Sequence, residues 1–60
     1  MQRIYKIIIA SRSEIANEVS YVVVSSFTDA VGKAETFRRK SELSGVKYID
    51  ELIFVGLVRK

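Results

Sequence analysis

No cysteine, histidine, proline or tryptophan occurs among the 60 residues, and only three are glycine. Without cysteine, neither a disulfide nor a thiolate metal site can assist folding. Without histidine, the chain lacks the usual zinc ligand and the side chain most often used as a general base near neutral pH. The absence of proline fits a compact hairpin-and-helix unit better than a chain that carries linkers. No apolar run reaches the ~18 residues of a membrane span, and there is no internal repeat or low-complexity tract. The opening MQRIYKIIIAS has Arg3 and Lys6 before a short apolar run, but Lys6 interrupts it and no A-x-A-like cleavage site follows. It reads as a strand rather than a signal peptide, and the expected location is cytoplasmic.

Apolar residues make up 48% of the chain, too many for a disordered tail. The expectation is one globular domain over residues 1–60. A chain this short buries only roughly 60% of the surface that its unfolded form exposes, so stability is marginal unless something assists it. The formal charge of +3 and the pI near 9.5 suit an acidic partner such as nucleic acid. In a small domain they are also an ordinary solubility charge, the reading that charge alone favours.

The stretch from Ser26 to Gly45, SFTDAVGKAETFRRKSELSG, reads as an amphipathic helix. Ser26 is placed as N-cap, Asp29 as the acidic half of a capping box, and Gly45 as the left-handed residue beyond the last turn. Ala30, Val31, Ala34, Phe37 and Ser41 recur at three- and four-residue steps and form the inward stripe, leaving Lys33, Glu35, Arg38, Arg39, Lys40 and Glu42 to solvent. Gly32 inside the helix signals either a close contact or simple tolerance.

Residues Arg3 to Ala10 are rich in β-branched and aromatic side chains on both faces and read as a central strand. The polar segment Ser11 to Glu18 reads as a surface loop too long for a two-residue hairpin, with room for a helical turn near Ser13 to Asn17. Val19 to Ser25 is a second strand. A third runs from Lys47 or Tyr48 to Val58, with a bulge or irregular start at Asp50 and Glu51. The expected fold is α+β, in the order ββαβ: a three-stranded sheet of order 2-1-3 with the first strand central, antiparallel to both neighbours, and one helix on one face.

One helix can cover one face of such a sheet, yet the first and third strands offer apolar side chains to both. The uncovered face calls for a partner. The expectation is a homodimer, by sheet-to-sheet packing or by edge pairing of the third strand. The alternative is a monomer whose Ser11–Glu18 loop folds over that face through Ile15.

The candidate nucleic-acid contacts are Lys33, Arg38, Arg39 and Lys40, since cations gathered on a helix can track a phosphate backbone. Against this stands an ordinary solvated face, with Glu35 four residues before Arg39 and Arg38 four before Glu42. Arg59 and Lys60 add charge at the end of the chain. Tyr5, Tyr21 and Tyr48 fall one per strand, as in sheets on which single-stranded bases stack, but tyrosine is also a common strand residue. No serine has a histidine to activate it, no glycine-rich phosphate loop is present, and a magnesium site from Asp29, Asp50 and Glu51 has no supporting pattern. No catalytic residue, metal, cofactor, small-molecule substrate or membrane partner is expected.

The segment SSFTDAVGKAE, a strand ending in serine followed by an aromatic residue and an acidic-Ala pair that opens a helix, resembles the helix entry of small ββαβ domains. Antitoxin domains of the HicB type and several short phage-encoded proteins are similar around this motif, in a match that covers about half of the chain. The resemblance implies the ββαβ order and an accessory protein of phage or mobile-element type. Together these features lead to a non-enzymatic oligomeric binding module with a nucleic-acid partner. The rival is a protein-interaction or inhibitor module that docks through its apolar sheet face or edge strand.

Overall fold

A computed structural model describes residues 1–58; Arg59 and Lys60 lie outside the described residues. The order is β1 (Arg3–Ser11), β2 (Glu14–Val24), α1 (Phe27–Lys40) and β3 (Lys47–Leu57). The sheet order is β2-β1-β3, with β1 antiparallel to both neighbours. This is the α+β arrangement that the hydrophobic pattern implies. The central place of β1 follows from its composition, because a strand flanked on both sides profits most from β-branched residues.

The hairpin differs from the expected loop. β1 continues to Ser11, β2 begins at Glu14, and only Arg12 and Ser13 make the turn. The Ser13 N–H donates to Ser11 Oγ at 3.1 Å, closing the turn through a side chain. Neither turn residue has a positive φ, so the turn lacks the primed geometry that matches strand twist. The ladder takes up the mismatch as a register shift between Ile9 and Ser11, where residues 15–17 stand opposite Ala10 alone. The polar segment after Ser13 is therefore edge strand, not loop or helical turn. Its polarity reflects exposure, which sequence composition cannot separate from loop character.

Ser26 caps α1 as its sequence implies: it is extended (φ −152°, ψ 164°) and its Oγ accepts from the Asp29 N–H at 3.2 Å. The helix ends at Lys40, well before Gly45. The physical reason lies in β2 and the connection itself. The N–H groups of Glu42 and Ser44 donate to the carboxylates of Glu18 and Glu14, and the Leu43 N–H donates to Ser41 Oγ. Lys47 Nζ donates to the Ser41 carbonyl at 2.7 Å, and buried Leu43 anchors the connection in the core. These partners satisfy the backbone groups that a longer helix would have used. Gly45 has φ +83° as expected, but in the turn into β3 rather than as a helix stop.

β3 carries two irregularities. Ile8 pairs with Glu51 and Ile9 with Ile49, so Asp50 is the extra residue of a bulge where its sequence placed one. Ile4 pairs with Gly56 and Tyr5 with Phe54, which leaves Val55 as a second. The core lies wholly between α1 and one sheet face: Tyr5, Ile7 and Ile9 from β1, Val22 and Val24 from β2, Ala30 and Ala34 from α1, and Leu43. Phe37 packs against it, whereas Val31 is 40% exposed and falls outside the buried stripe. The small side chains of Ala30 and Ala34 let the helix lie close to the sheet. Gly32 is exposed, and a Cβ there would meet nothing within 4 Å, so its presence reflects tolerance rather than a close contact.

Candidate binding surfaces

Two surfaces stand outside this core. The first is the sheet face turned away from α1. Ladder partners share a face, so Lys6, Tyr21 and Ile53 lie together, as do Ile8, Val19 and Glu51. Val19, Tyr21, Val23 and Ile53 are exposed, while Ile4, Lys6 and Ile8 are half-buried by their neighbours alone. With strands ~4.8 Å apart and ~3.3 Å per residue, this face is about 14 Å by 30 Å. Its projected area of about 400 Å² falls within the roughly 300–600 Å² of the largest patch on a typical monomer. Ile15, the residue that could have folded back as a cover, is fully exposed.

The β3 edge is irregular along its length, whereas the β2 edge is regular from Glu18 to Val24. β3 is interrupted at Asp50 and Val55, and β2 at residues 15–17. Bulged edges of this kind discourage strand addition.

The second surface is the exposed side of α1, which divides the four candidate cations. Arg38 is bound to Glu35, with Nη2 at 2.7 Å and Nε at 3.1 Å from Oε1 and Nε also 3.2 Å from Oε2. This (i, i+3) pair replaces both of the four-residue pairings that spacing allows. The Arg38 hydrogen bond holds the Glu35 carboxyl below the usual carboxylate range, against the opposing effect of desolvation, with further help from the charges of Arg38 and Arg39. Glu35 in turn raises Arg38. Lys33, Arg39 and Lys40 form no ion pair among the described residues. Lys33 and Lys40 are seven residues apart and share a flank about 10 Å apart along the axis, with Arg39 toward the outer side. Three unpaired cations thus spread over the exposed helix surface without forming a single stripe.

The tyrosines do not form a common platform. Tyr5 is buried on the helix side, with ring centroids 5.9 Å from Phe27 and 5.6 Å from Phe54. Tyr21 and Tyr48 lie on the opposite face, on different outer strands. Among the described residues, no group of three metal-ligating side chains converges and no helix is long and apolar enough to cross a membrane. A shallow cleft of ≈ 490 Å³ between the end of β2 and the first half of α1 includes Thr28, Asp29, Lys33 and Thr36. It holds no pairing of a nucleophile with a base.

Sequence reasoning missed the hydrogen bonds from the helix–β3 connection to Glu14 and Glu18, because they span 30 and 24 residues. It noted Lys6 only as a break in an apolar run. The period-2 alternation that sets Lys6 beside Tyr21 and Ile53 depends on the register.

The fold defines a small ββαβ domain with one open sheet face. Compared with protein-family models, curated proteins and solved structures, the chain has no match.

Proposed function

We propose that this protein is a non-enzymatic oligomeric binding module whose copies assemble through the open sheet face. The observation that carries this reading is that the single helix packs on one face of the three-stranded sheet only: Ile7 beneath it is 0% exposed, while Val19 and Tyr21 on the other face exceed half. Covering the bare face removes apolar surface from water at roughly 25 cal/mol per Å², which matters in a domain too small for a large core of its own. About 400 Å² per copy, or about 800 Å² in total, is smaller than a standard specific interface, so the assembly is a weak one.

In such an assembly α1 points outward, and Lys33, Arg39 and Lys40 are free to meet an acidic partner. Nucleic acid is the partner class that three unpaired helix cations and a net charge of +3 fit best. Two measurements test the two parts. Sedimentation across micromolar concentrations is expected to show a dimer, and a single 6.8 kDa species throughout would refute the assembly. Binding to mixed-sequence single- and double-stranded DNA is expected to weaken steeply with salt. No binding at low salt would remove the nucleic-acid partner and favour docking of a different protein.

A further inference from the structure

We infer that the second copy packs with its β1 antiparallel over β1 of the first, about a two-fold axis that lies in the interface at right angles to the strands and level with Ile7. This arrangement rests on the assembly proposed above and specifies its partner surface residue by residue.

The ladders arrange the bare face in rows. Val23, Ile4 and Gly56 form the first, Tyr21, Lys6 and Ile53 the second, Val19, Ile8 and Glu51 the third, and Ala10 and Tyr48 the fourth. An axis between the second and third rows brings the first row onto the fourth and the second onto the third. Tyr48 then faces Gly56 of the second copy, and Ile4 faces the recessed Ala10. Large side chains meet small ones in both cases, which is how facing layers interdigitate. Lys6 comes level with Glu51 of the second copy, one strand spacing of ~4.8 Å to the side. Sheets packed ~10 Å apart leave the ammonium and the carboxylate to meet midway.

Two features of the single chain support this choice. Gly56 has neither a positive φ nor a neighbour within 4 Å of an added Cβ, so its own fold does not require glycine. A glycine inside a strand marks a bulge, such as the one at Val55 beside it, or a place where another backbone approaches closely. Lys6 and Glu51 make no ion pair with each other among the described residues, so both charges are free for a partner. The other simple two-fold, running along β1, would stack Lys6 on Lys6 in a dehydrated interface and is disfavoured by like-charge repulsion.

Sedimentation equilibrium on folded variants tests the arrangement. Gly56→Val should keep the circular dichroism of the parent but raise the dimer dissociation constant about tenfold or more, and adding Tyr48→Ala to it should recover part of the loss. Lys6→Glu and Glu51→Lys should each self-associate about tenfold more weakly, whereas a mixture of the two should form a 1:1 heterodimer tighter than either homodimer. The mixture also decides the matter if Gly56→Val fails to fold. A parent dimer indifferent to Gly56→Val, with no preference in the mixture, overturns this arrangement but leaves the assembly reading intact. A parent that stays monomeric at about 500 µM overturns both.

Discussion

A Cβ added at Gly45 would lie 2.7 Å from the Cβ of Ser13, so the turn into β3 presses against the tip of the β1–β2 hairpin. Around this contact the Arg12 N–H donates to the Val46 carbonyl at 3.1 Å, and the Ser11 hydroxyl donates to the Ser44 carbonyl. Two segments more than 30 residues apart are thus joined at one end of the sheet.

Gly45→Ala tests the joint. The substitution places a side chain at φ +83° and against Ser13, and the backbone conformation alone costs about 1 kcal/mol. Chemical denaturation should show a loss of about 1–3 kcal/mol. Adding Ser13→Gly should recover only the steric part. A stability equal to that of the parent would show that the contact does not matter.

At Gly32 the opposite sign is expected. The site is exposed, helical and free of neighbours within 4 Å, so Gly32→Ala should stabilise by about 0.5–1 kcal/mol through helix propensity and unfolded-state entropy. The denaturation midpoint should rise, and a fall would mean that α1 makes a close contact there.

Ile7 and Ile8 are adjacent but serve different faces. Ile7 is fully buried under α1, and Ile7→Val should cost about 0.5–1.5 kcal/mol of fold stability. Ile8→Ser lies on the bare face. It should leave the secondary structure intact and reduce self-association about tenfold or more, as read by sedimentation. Loss of folding in both variants alike would argue that the second face is not an interface.

The cations of α1 divide by pairing. Reversing charge at Lys33, Arg39 and Lys40 together should abolish salt-dependent DNA binding, while Glu35→Gln, which releases Arg38, should strengthen it. Unchanged affinity in both cases would remove α1 as the site. The Glu35 carboxyl titrates below its ordinary value of 4.5. Its pairing with Arg38 therefore contributes above that value and is lost as the pH falls through the lowered one. The contribution is slight because both side chains keep a third or more of their surface in water, so acid unfolding should be nearly the same in Glu35→Gln. Carboxyl chemical shifts followed by NMR would give the titration directly.

Much of this fold is written in local patterns. The β-branched run around Ile7, the Ser26 cap and the three- and four-residue spacing of Ala30, Ala34 and Phe37 each depend on side chains within a few residues, so strands, helix start and strand order are legible from the chain alone. The excess of apolar residues over what one helix can cover was legible for the same reason. The hairpin turn at Arg12 and Ser13, the end of α1 at Lys40 and the split between paired Arg38 and unpaired Arg39 were not. Polar residues 14–18 look alike in a loop and in an exposed edge strand, and only pairing with β1 distinguishes the two. The carboxylates of Glu14 and Glu18 end the helix by reaching residues 30 and 24 positions away, and no local pattern encodes such a contact. Register completes the division. The sequence determined that two apolar faces exist, but which residues share a row, and hence that Lys6 lies diagonally from Glu51 and that Gly56 and Tyr48 stand in the first and last rows of the same face, was decided when β1 paired with both neighbours.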